Sequence, residues 1–299
     1  MEKILKTRSL FLIFLCALCW GPSYLFIKIA VTEIPPITLV LIRVGIAAFL
    51  LYLLCRLQNQ KLKPWKHLWK PFAVMGITLN ALPFFLISYG ELYIPSSLAG
   101  ILNSLTLIFT AVIAHFFGKH DPLTKNKILG IIGGLIGLAI IYLPLVLHER
   151  IENDIGALMI VIACISYGIG TVYARTHLRT VPGIIALTFQ LIITTIVLLP
   201  FSLIIDRPFN LPFPSYQPLL GAIGLGVIGT AAGFFFYYKA IQLAGATYAS
   251  FSVLFVPILA MLFGAIFLNE HLTWNLYLGT FFILAGVIAV NPAFNPAKS

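Results

Sequence analysis

Ten apolar stretches, each long enough to cross a bilayer, leave this chain few ways to fold. A hydrocarbon core about 30 Å thick needs about 20 apolar residues per helix. The stretches lie at about 9–31, 37–56, 71–92, 95–117, 127–147, 155–175, 182–205, 217–239, 246–268 and 274–292. Short connections rich in helix breakers separate them: Pro35-Pro36, Pro64, Pro95, Pro122, Pro182 and the run from Pro208 to Pro218. No connection is long enough for a soluble domain. Only 9% of residues are charged, against about 25% in soluble domains, so the chain cannot cover a water-facing surface. The expected fold class is an all-α polytopic membrane protein. The first stretch follows a basic start (Lys3, Lys6, Arg8). It is too long for a signal-peptide core and no clear cleavage site follows, so it reads as a spanning helix that stays attached.

The positive charges predict an orientation, because cytoplasmic loops carry the excess of Lys and Arg. With the N-terminus inside, ten helices put fifteen cations in cytoplasmic segments, including Arg56, Lys61, Lys63, Lys66, Lys70, Arg175 and Arg179, and only Arg150 and Arg207 outside. The other two, Lys28 and Arg43, fall within predicted helices. Most acids take the outer side: Glu33, Glu91, Glu149, Glu152, Asp154, Asp206 and Glu270. The net charge of +10 is therefore a positive-inside signature facing anionic lipid, with no nucleic-acid partner implied. The expected topology is N-in and C-in.

A weak internal echo adds symmetry. Asp121-Pro-Leu-Thr-Lys-Asn-Lys-Ile-Leu-Gly130, with Leu135 and Gly137, returns 149 residues later as Glu270-His-Leu-Thr-Trp-Asn-Leu-Tyr-Leu-Gly279, with Leu284 and Gly286. Seven of seventeen positions match and one more exchanges acid for acid; the same shift pairs Tyr89 with Tyr238. A shift of 147 sets Trp20-Gly21 against Tyr167-Gly168, Lys28 against Arg175, Pro35 against Pro182, and Arg43 against Gln190. Two halves of five helices, 1–148 and 149–299, must enter the membrane in opposite senses because five is odd. Inverted five-helix repeats build a midplane site between halves and give alternating access by rocking about it.

These residues resemble the drug/metabolite transporter superfamily, in particular its EamA-like ten-helix carriers. The resemblance rests on Trp20-Gly21-Pro22-Ser23-Tyr24 through Lys28, on Arg43, on Leu102-Asn103-Ser104-Leu105-Thr106, on Asp121-Pro-Leu-Thr with Gly130, on Val256-Pro257, and on Asn269-Glu270-His-Leu-Thr with Gly279. One departure stands out: the proline that the family often carries after the stretch matching Leu105-Thr106 is replaced by Leu107 and Ile108, whereas Pro257 is kept. The resemblance implies a carrier of the bacterial cytoplasmic (inner) membrane, often an exporter, for amino acids, nucleotide-like metabolites, quaternary amines or drugs.

Candidate substrate-binding residues are Trp20, Tyr24, Arg43, Tyr89, Asn103, Tyr167, Gln190, Tyr238 and Tyr248. Buried amides are costly in a membrane unless bonded or functional, and aromatic faces hold cationic or aromatic ligands. Arg43 lies about 10 Å below the outer surface, at 1.5 Å per residue. It either contacts a substrate carboxylate or phosphate, or forms a fixed ion pair with Glu91. Lys28 and Glu91 are assigned to gating or an ion pair; Lys28 is also placed to snorkel to the outer interface. His115 reads as a helix-end interfacial residue.

Other patterns are decoys. Gly224-Leu-Gly226-Val-Ile-Gly229 matches a dinucleotide fingerprint, but no strand precedes it. Cys16 and Cys19 have CxxC spacing inside an apolar run. The pairs Gly130/Gly134 and Gly133/Gly137 permit close helix contact, internal or in a homodimer. No HExxH, GxSxG or Walker A lysine occurs, and no cofactor or metal is expected. The expected activity is secondary transport of a small metabolite, an amino acid or related zwitterion or amine, by alternating access. An intramembrane transferase or scaffold is the other class open at this point; the chain is expected to work as a monomer or homodimer with membrane lipid around it.

Overall fold

A computed structural model describes residues 2–117, 124–147, 151–244, 249 and 251–290, and contains no strand among them. The first apolar stretch forms α1 (Glu2–Trp20) and α2 (Ser23–Ala30). They part at Gly21-Pro22, because Pro22 has no N–H to donate and its ring crowds the preceding turn. Next come α3 (Pro36–Leu57), α4 (Trp69–Gly76), α5 (Leu82–Gly90), α6 (Ser96–Asn103), α7 (Thr106–Phe117), α8 (Lys125–Leu147), α9 (Ile151–His177) and α10 (Gly183–Phe201). The last are α11 (Tyr216–Gly224), α12 (Gly233–Ala244), α13 (Ser252–Leu268) and α14 (Trp274–Val290). Seven helical stretches among the described residues are long and apolar enough to cross a membrane. They are Leu10–Ala30, Pro36–Leu57, Lys63–Gly90, Ser96–Phe117, Ile155–His177, Gly183–Asn210 and Tyr216–Leu243, with α13 and α14 as shorter apolar helices.

Three further stretches that read as single helices are interrupted. Ile77–Ala81, between α4 and α5, and Leu225–Ala232, between α11 and α12, are π-helical, a geometry that leaves carbonyls out of register. The shift of 149 carries the first segment inside the second. The stretch at 95–117 breaks into α6 and α7 at Ser104-Leu105, where Ser104 and Leu105 donate to the carbonyls of Ile101 and Leu102, three residues back. The break forms without the family's proline. Other paired features follow the echo: Pro35 and Pro182 precede α3 and α10 in extended conformation, and Asn59 and Arg207, 148 residues apart, both take positive φ.

The echo's own glycines meet. A Cβ added at Gly130 would lie 2.5 Å from the carbonyl oxygen of Gly286, and one at Gly137 would lie 2.6 Å from that of Gly279. Each glycine thus faces the equivalent of the other, and α8 and α14 run antiparallel. Lipid tails are as apolar as leucine, so helices associate in a membrane through close packing, which only small residues allow. Ile141, Ile283 and Val287 are buried beside this contact, and Asn275 Nδ2 donates to the Ile141 carbonyl at 3.2 Å. The GxxxG spacing in α8 is therefore used inside the chain.

Large apolar side chains such as Phe11, Phe49, Ile204, Phe267 and Phe281 point outward, as a lipid-facing surface requires. The largest buried cluster includes Ile27, Ile87, Ile101, Ile160, Leu225 and Val256. Charge separates by end. Lys63–Leu68 forms a short 3-10 helix whose Trp65 and Leu68 pack near Leu178 and Val181, gathering Lys61, Lys63, Lys66, Lys70, Arg175 and Arg179 at one end. The other end holds Glu33, Glu91, Asp206 and Glu270. Asp121, in the echo, lies outside the described residues.

Candidate functional site

At the acidic end, carboxylates cap helices that belong to other parts of the chain. Glu270 accepts from the Ser96 and Ser97 amides at 2.7 and 2.9 Å, at the start of α6. Asp206 accepts from the Thr38 amide at 2.7 Å and its hydroxyl at 2.8 Å, in the first turn of α3. Glu33 accepts from the Ser215 amide at 2.6 Å and hydroxyl at 2.8 Å, at the start of α11. Anions are favourable there because the first amides of a helix lack intrahelical partners and carry its positive dipole. The Ser215 amide, and then its hydroxyl, hold the exposed Glu33 carboxyl below its ordinary pKa. A vestibule of about 650 Å³ opens here, lined by Lys28, Glu33, Tyr93, Ile94, Ser215 and Glu270 among others.

A second cavity, of about 220 Å³, lies deeper in the bundle. Its walls come from both halves: Trp20 from α1, Ser23 and Tyr24 from α2, Arg43 from α3, Phe84 from α5, Asn103 from α6, Thr106 from α7, Tyr167 from α9, Phe234 from α12 and Pro257 from α13. Ile27 and Ile87 line this cavity, Ile94 lines the vestibule, and all three are buried at the boundary between them.

Arg43 is its one charged wall residue among those described, and no Asp or Glu lines it. The side chain is 6% exposed. Its Nε donates to Thr230 Oγ1 at 2.8 Å, and its guanidinium carbon lies 3.7 Å from the centre of the Phe84 ring. Thr230 in turn donates to the Leu225 carbonyl at 2.8 Å, five residues back along the π-helical segment. The irregular helix of the second half thereby orients the arginine of the first. A guanidinium stacked on a desolvated aromatic face gains about 2 kcal/mol, and its planar fork suits a carboxylate.

The aromatic walls are braced. Tyr167 stands edge-on to Phe84 with centroids 6.5 Å apart, and Trp20 meets Phe234 at 5.9 Å and Tyr237 at 5.2 Å. Asn103 sits at the end of α6, where the helix breaks, and its carbonyl accepts from the Cys164 thiol at 3.7 Å. Thr106 begins α7 and its buried hydroxyl has no hydrogen-bond partner.

The cavity brings together Trp20, Tyr24, Arg43, Asn103 and Tyr167. Three other candidates do not line it. Tyr89 points toward Phe85 and Tyr93, whose hydroxyl donates to that of Tyr89 at 3.3 Å. Gln190 is 2% exposed on α10, with Oε1 unpartnered, and its carbonyl accepts from Thr194 where α10 packs on Gly76 of α4. Tyr238 lies against Gly183 at the basic end. Tyr248 lies outside the described residues. The Arg43–Glu91 ion pair does not form: Arg43 is committed to Thr230 and Phe84, and both Glu91 carboxylate oxygens lack partners. Lys28 does not pair with that carboxylate either. Its ammonium donates to the backbone carbonyls of Glu91 and, at 2.9 Å, Ile94, so it is held within the protein where snorkelling was expected.

The sequence does not single out Phe84, Thr230 or Phe234, and it marks Thr106 only as part of the Leu102–Thr106 motif. Nothing distinguishes Phe84 or Phe234 from lipid-facing phenylalanines in an apolar run. Thr230 had one signal, its place in the segment that the shift of 149 aligns with Ile77–Ala81.

The match of a family model to both halves decides the kinship: the EamA-like transporter family model fits residues 7–143 and again residues 154–291. The chain belongs to the EamA-like transporter family. It is a multi-pass membrane protein. Uncharacterized transporter YoaV of Bacillus subtilis is 27% identical over 94% of this chain and 96% of its own length. An uncharacterized transporter of Archaeoglobus fulgidus is 28% identical over 91% and 94%. Uncharacterized inner membrane transporter YedA of Escherichia coli K12 is 26% identical over 96% and 92%. A crystal structure of another protein superposes with a TM-score of 0.67 over 98% of this chain and 99% of that one, at 16% identity. That likeness concerns the fold alone.

Proposed function

We propose that this protein is a secondary carrier of the bacterial cytoplasmic membrane that moves a small carboxylate-bearing metabolite, an amino acid or related zwitterion, by alternating access. The observation that carries the reading is the central cavity, with Arg43 as its charged wall residue and aromatic faces from both halves around it. A carboxylate would bind the guanidinium, and an apolar or aromatic body would lie against Trp20, Tyr24 and Tyr167. With no acid on the described walls, a purely cationic amine has no counter-charge, which favours the zwitterion over the amine.

Counting α8, α13 and α14 with the seven long spans gives ten helices in repeats 1–148 and 149–299. Support for inversion comes from the antiparallel α8–α14 contact, in which Gly130 faces Gly286 and Gly137 faces Gly279. A two-fold axis in the membrane plane relates elements in that way. The basic end would face the cytoplasm, with both termini there and the vestibule outside. The proposed direction is export, which rests on the family resemblance alone.

Flux in proteoliposomes without ATP tests the reading. Counterflow of a labelled amino acid is expected to be competed by carboxylates and zwitterions and not by amines lacking a carboxylate. Absence of flux across a broad metabolite panel overturns it.

A further inference from the structure

Glu91 lies directly after α5, between the central cavity and the vestibule. It is fully buried, yet neither carboxylate oxygen has a hydrogen-bond partner. A buried carboxylate without partners is strongly disfavoured in its charged form. The charges around it do not relieve that. Lys28, on α2, is the cation that acts on it first, but its ammonium is spent on the carbonyls of Glu91 itself and Ile94. Arg43, on α3, is held by Thr230 and Phe84. Glu270, in the loop after α13, is an acid whose oxygens are occupied by the Ser96 and Ser97 amides. Tyr24 faces it from α2. On the remaining side α9 approaches Gly90 through Gly156 and Ile160, which carry no titratable group.

We propose that Glu91 is a proton-binding site linked to the vestibule mouth: it is neutral while the mouth is closed and ionised when the mouth opens. Opening requires α6 to leave Glu270 and the buried Ile94 to leave Lys28. Those movements admit water to the carboxyl and free the Lys28 ammonium to pair with it. Both favour the charged form only in the open state. One proton is then taken from the vestibule side on closing and returned there on opening. The sign follows: the group holds its proton more tightly in the closed form, so raising the pH shifts the protein toward the open form. The inference rests on the carrier reading only in requiring a mouth that opens.

The test uses thiol labelling of the purified full chain. The four native cysteines are buried and free, so background labelling is low. Ser97→Cys reports the mouth, because Ser97 is 1% exposed beneath Glu270. Thr32→Cys, at an exposed position, corrects for the thiol's own titration. The ratio of their labelling rates is expected to rise with pH, by up to about tenfold per unit for a one-proton linkage. Glu91→Gln, which mimics the neutral carboxyl, should hold the ratio low and flat. Infrared difference spectra supply a second readout that needs no transport: the carboxyl stretch of a protonated acid should be present in the wild type and reduced in Glu91→Gln. A flat ratio in the Glu91 background, an identical pH response in Glu91→Gln, or an unchanged carboxyl stretch overturns the proposal. Loss of flux with the labelling response intact would instead count against the carrier reading.

Discussion

Replacing Arg43 with methionine keeps the apolar stem and removes the guanidinium. The local cost to the fold is expected to be small. Thr230 keeps its bond to the Leu225 carbonyl, so no donor is orphaned, and the loss of about 2 kcal/mol of cation–π attraction at Phe84 is offset by no longer burying a cation. Ligand binding should fare worse. A hydrogen bond to a charged partner is worth about 1.5–3 kcal/mol, which is about a 10- to 150-fold loss of affinity. Titration calorimetry on purified protein, together with apparent melting temperature, reads both effects. A carboxylate-bearing ligand should weaken by that factor while melting moves little. Unchanged affinity, an equal loss for a ligand without a carboxylate, or collapse of folded yield would each refute the assignment of Arg43 to substrate.

Gly137→Val should destabilise the protein by about 1–3 kcal/mol through overpacking, because even a Cβ there would lie 2.6 Å from the Gly279 carbonyl; an unchanged melting temperature would show that α8 and α14 are not in this contact. Glu270→Ala removes a charged cap from the start of α6 and should cost about 1–2 kcal/mol, read by thermal unfolding in detergent, whereas Glu270→Gln should cost less because one acceptor survives. Glu33 has its folded pKa depressed by Ser215, so its contribution is present above the unfolded value of about 4.3 and lost as pH falls through the folded value. The melting difference between wild type and Glu33→Gln should therefore be constant near neutrality and vanish in acid, and a difference that grows in acid would refute the assigned partner. Thr230→Val should weaken binding of the carboxylate ligand less than Arg43→Met does, since the guanidinium stays but loses its anchor; an effect equal to that of Arg43→Met would give Thr230 a direct role.

The echo between 121–137 and 270–286 foreshadowed its own contact, because glycines kept at matching places permit the close approach of two helices, and close approach is what holds helices together in lipid. Charge segregation was equally legible: each loop lies at one membrane face, so its lysines or acids reach the same end as those of every second loop. The cavity was legible only in part. Trp20, Tyr24, Arg43, Asn103 and Tyr167 stand out by residue type and converge there. Tyr89 and Gln190 meet the same criteria, yet Tyr89 turns toward Tyr93 and Gln190 is buried where α10 packs on α3 and α4. Both the lipid and the interior select apolar side chains, so hydrophobic periodicity does not say which face of a membrane helix looks inward. Small deviations compound this, since the π-helical segments at Ile77–Ala81 and Leu225–Ala232 rotate everything beyond them.

The amino-acid sequence by itself determined the membrane, the apolar stretches, the two matching halves and the segregation of charge, because these follow from counts and spacings along a chain in lipid. The tertiary structure alone decided who meets whom. Arg43 lies on Phe84 and Thr230 where Glu91 was expected, and Lys28 serves two carbonyls. Three acids at one end, Asp206, Glu270 and Glu33, cap helices 168 to 182 residues away in the chain. Such pairings depend on the angle at which each helix presents a side chain to its neighbours, and that angle is set by packing among all the helices at once.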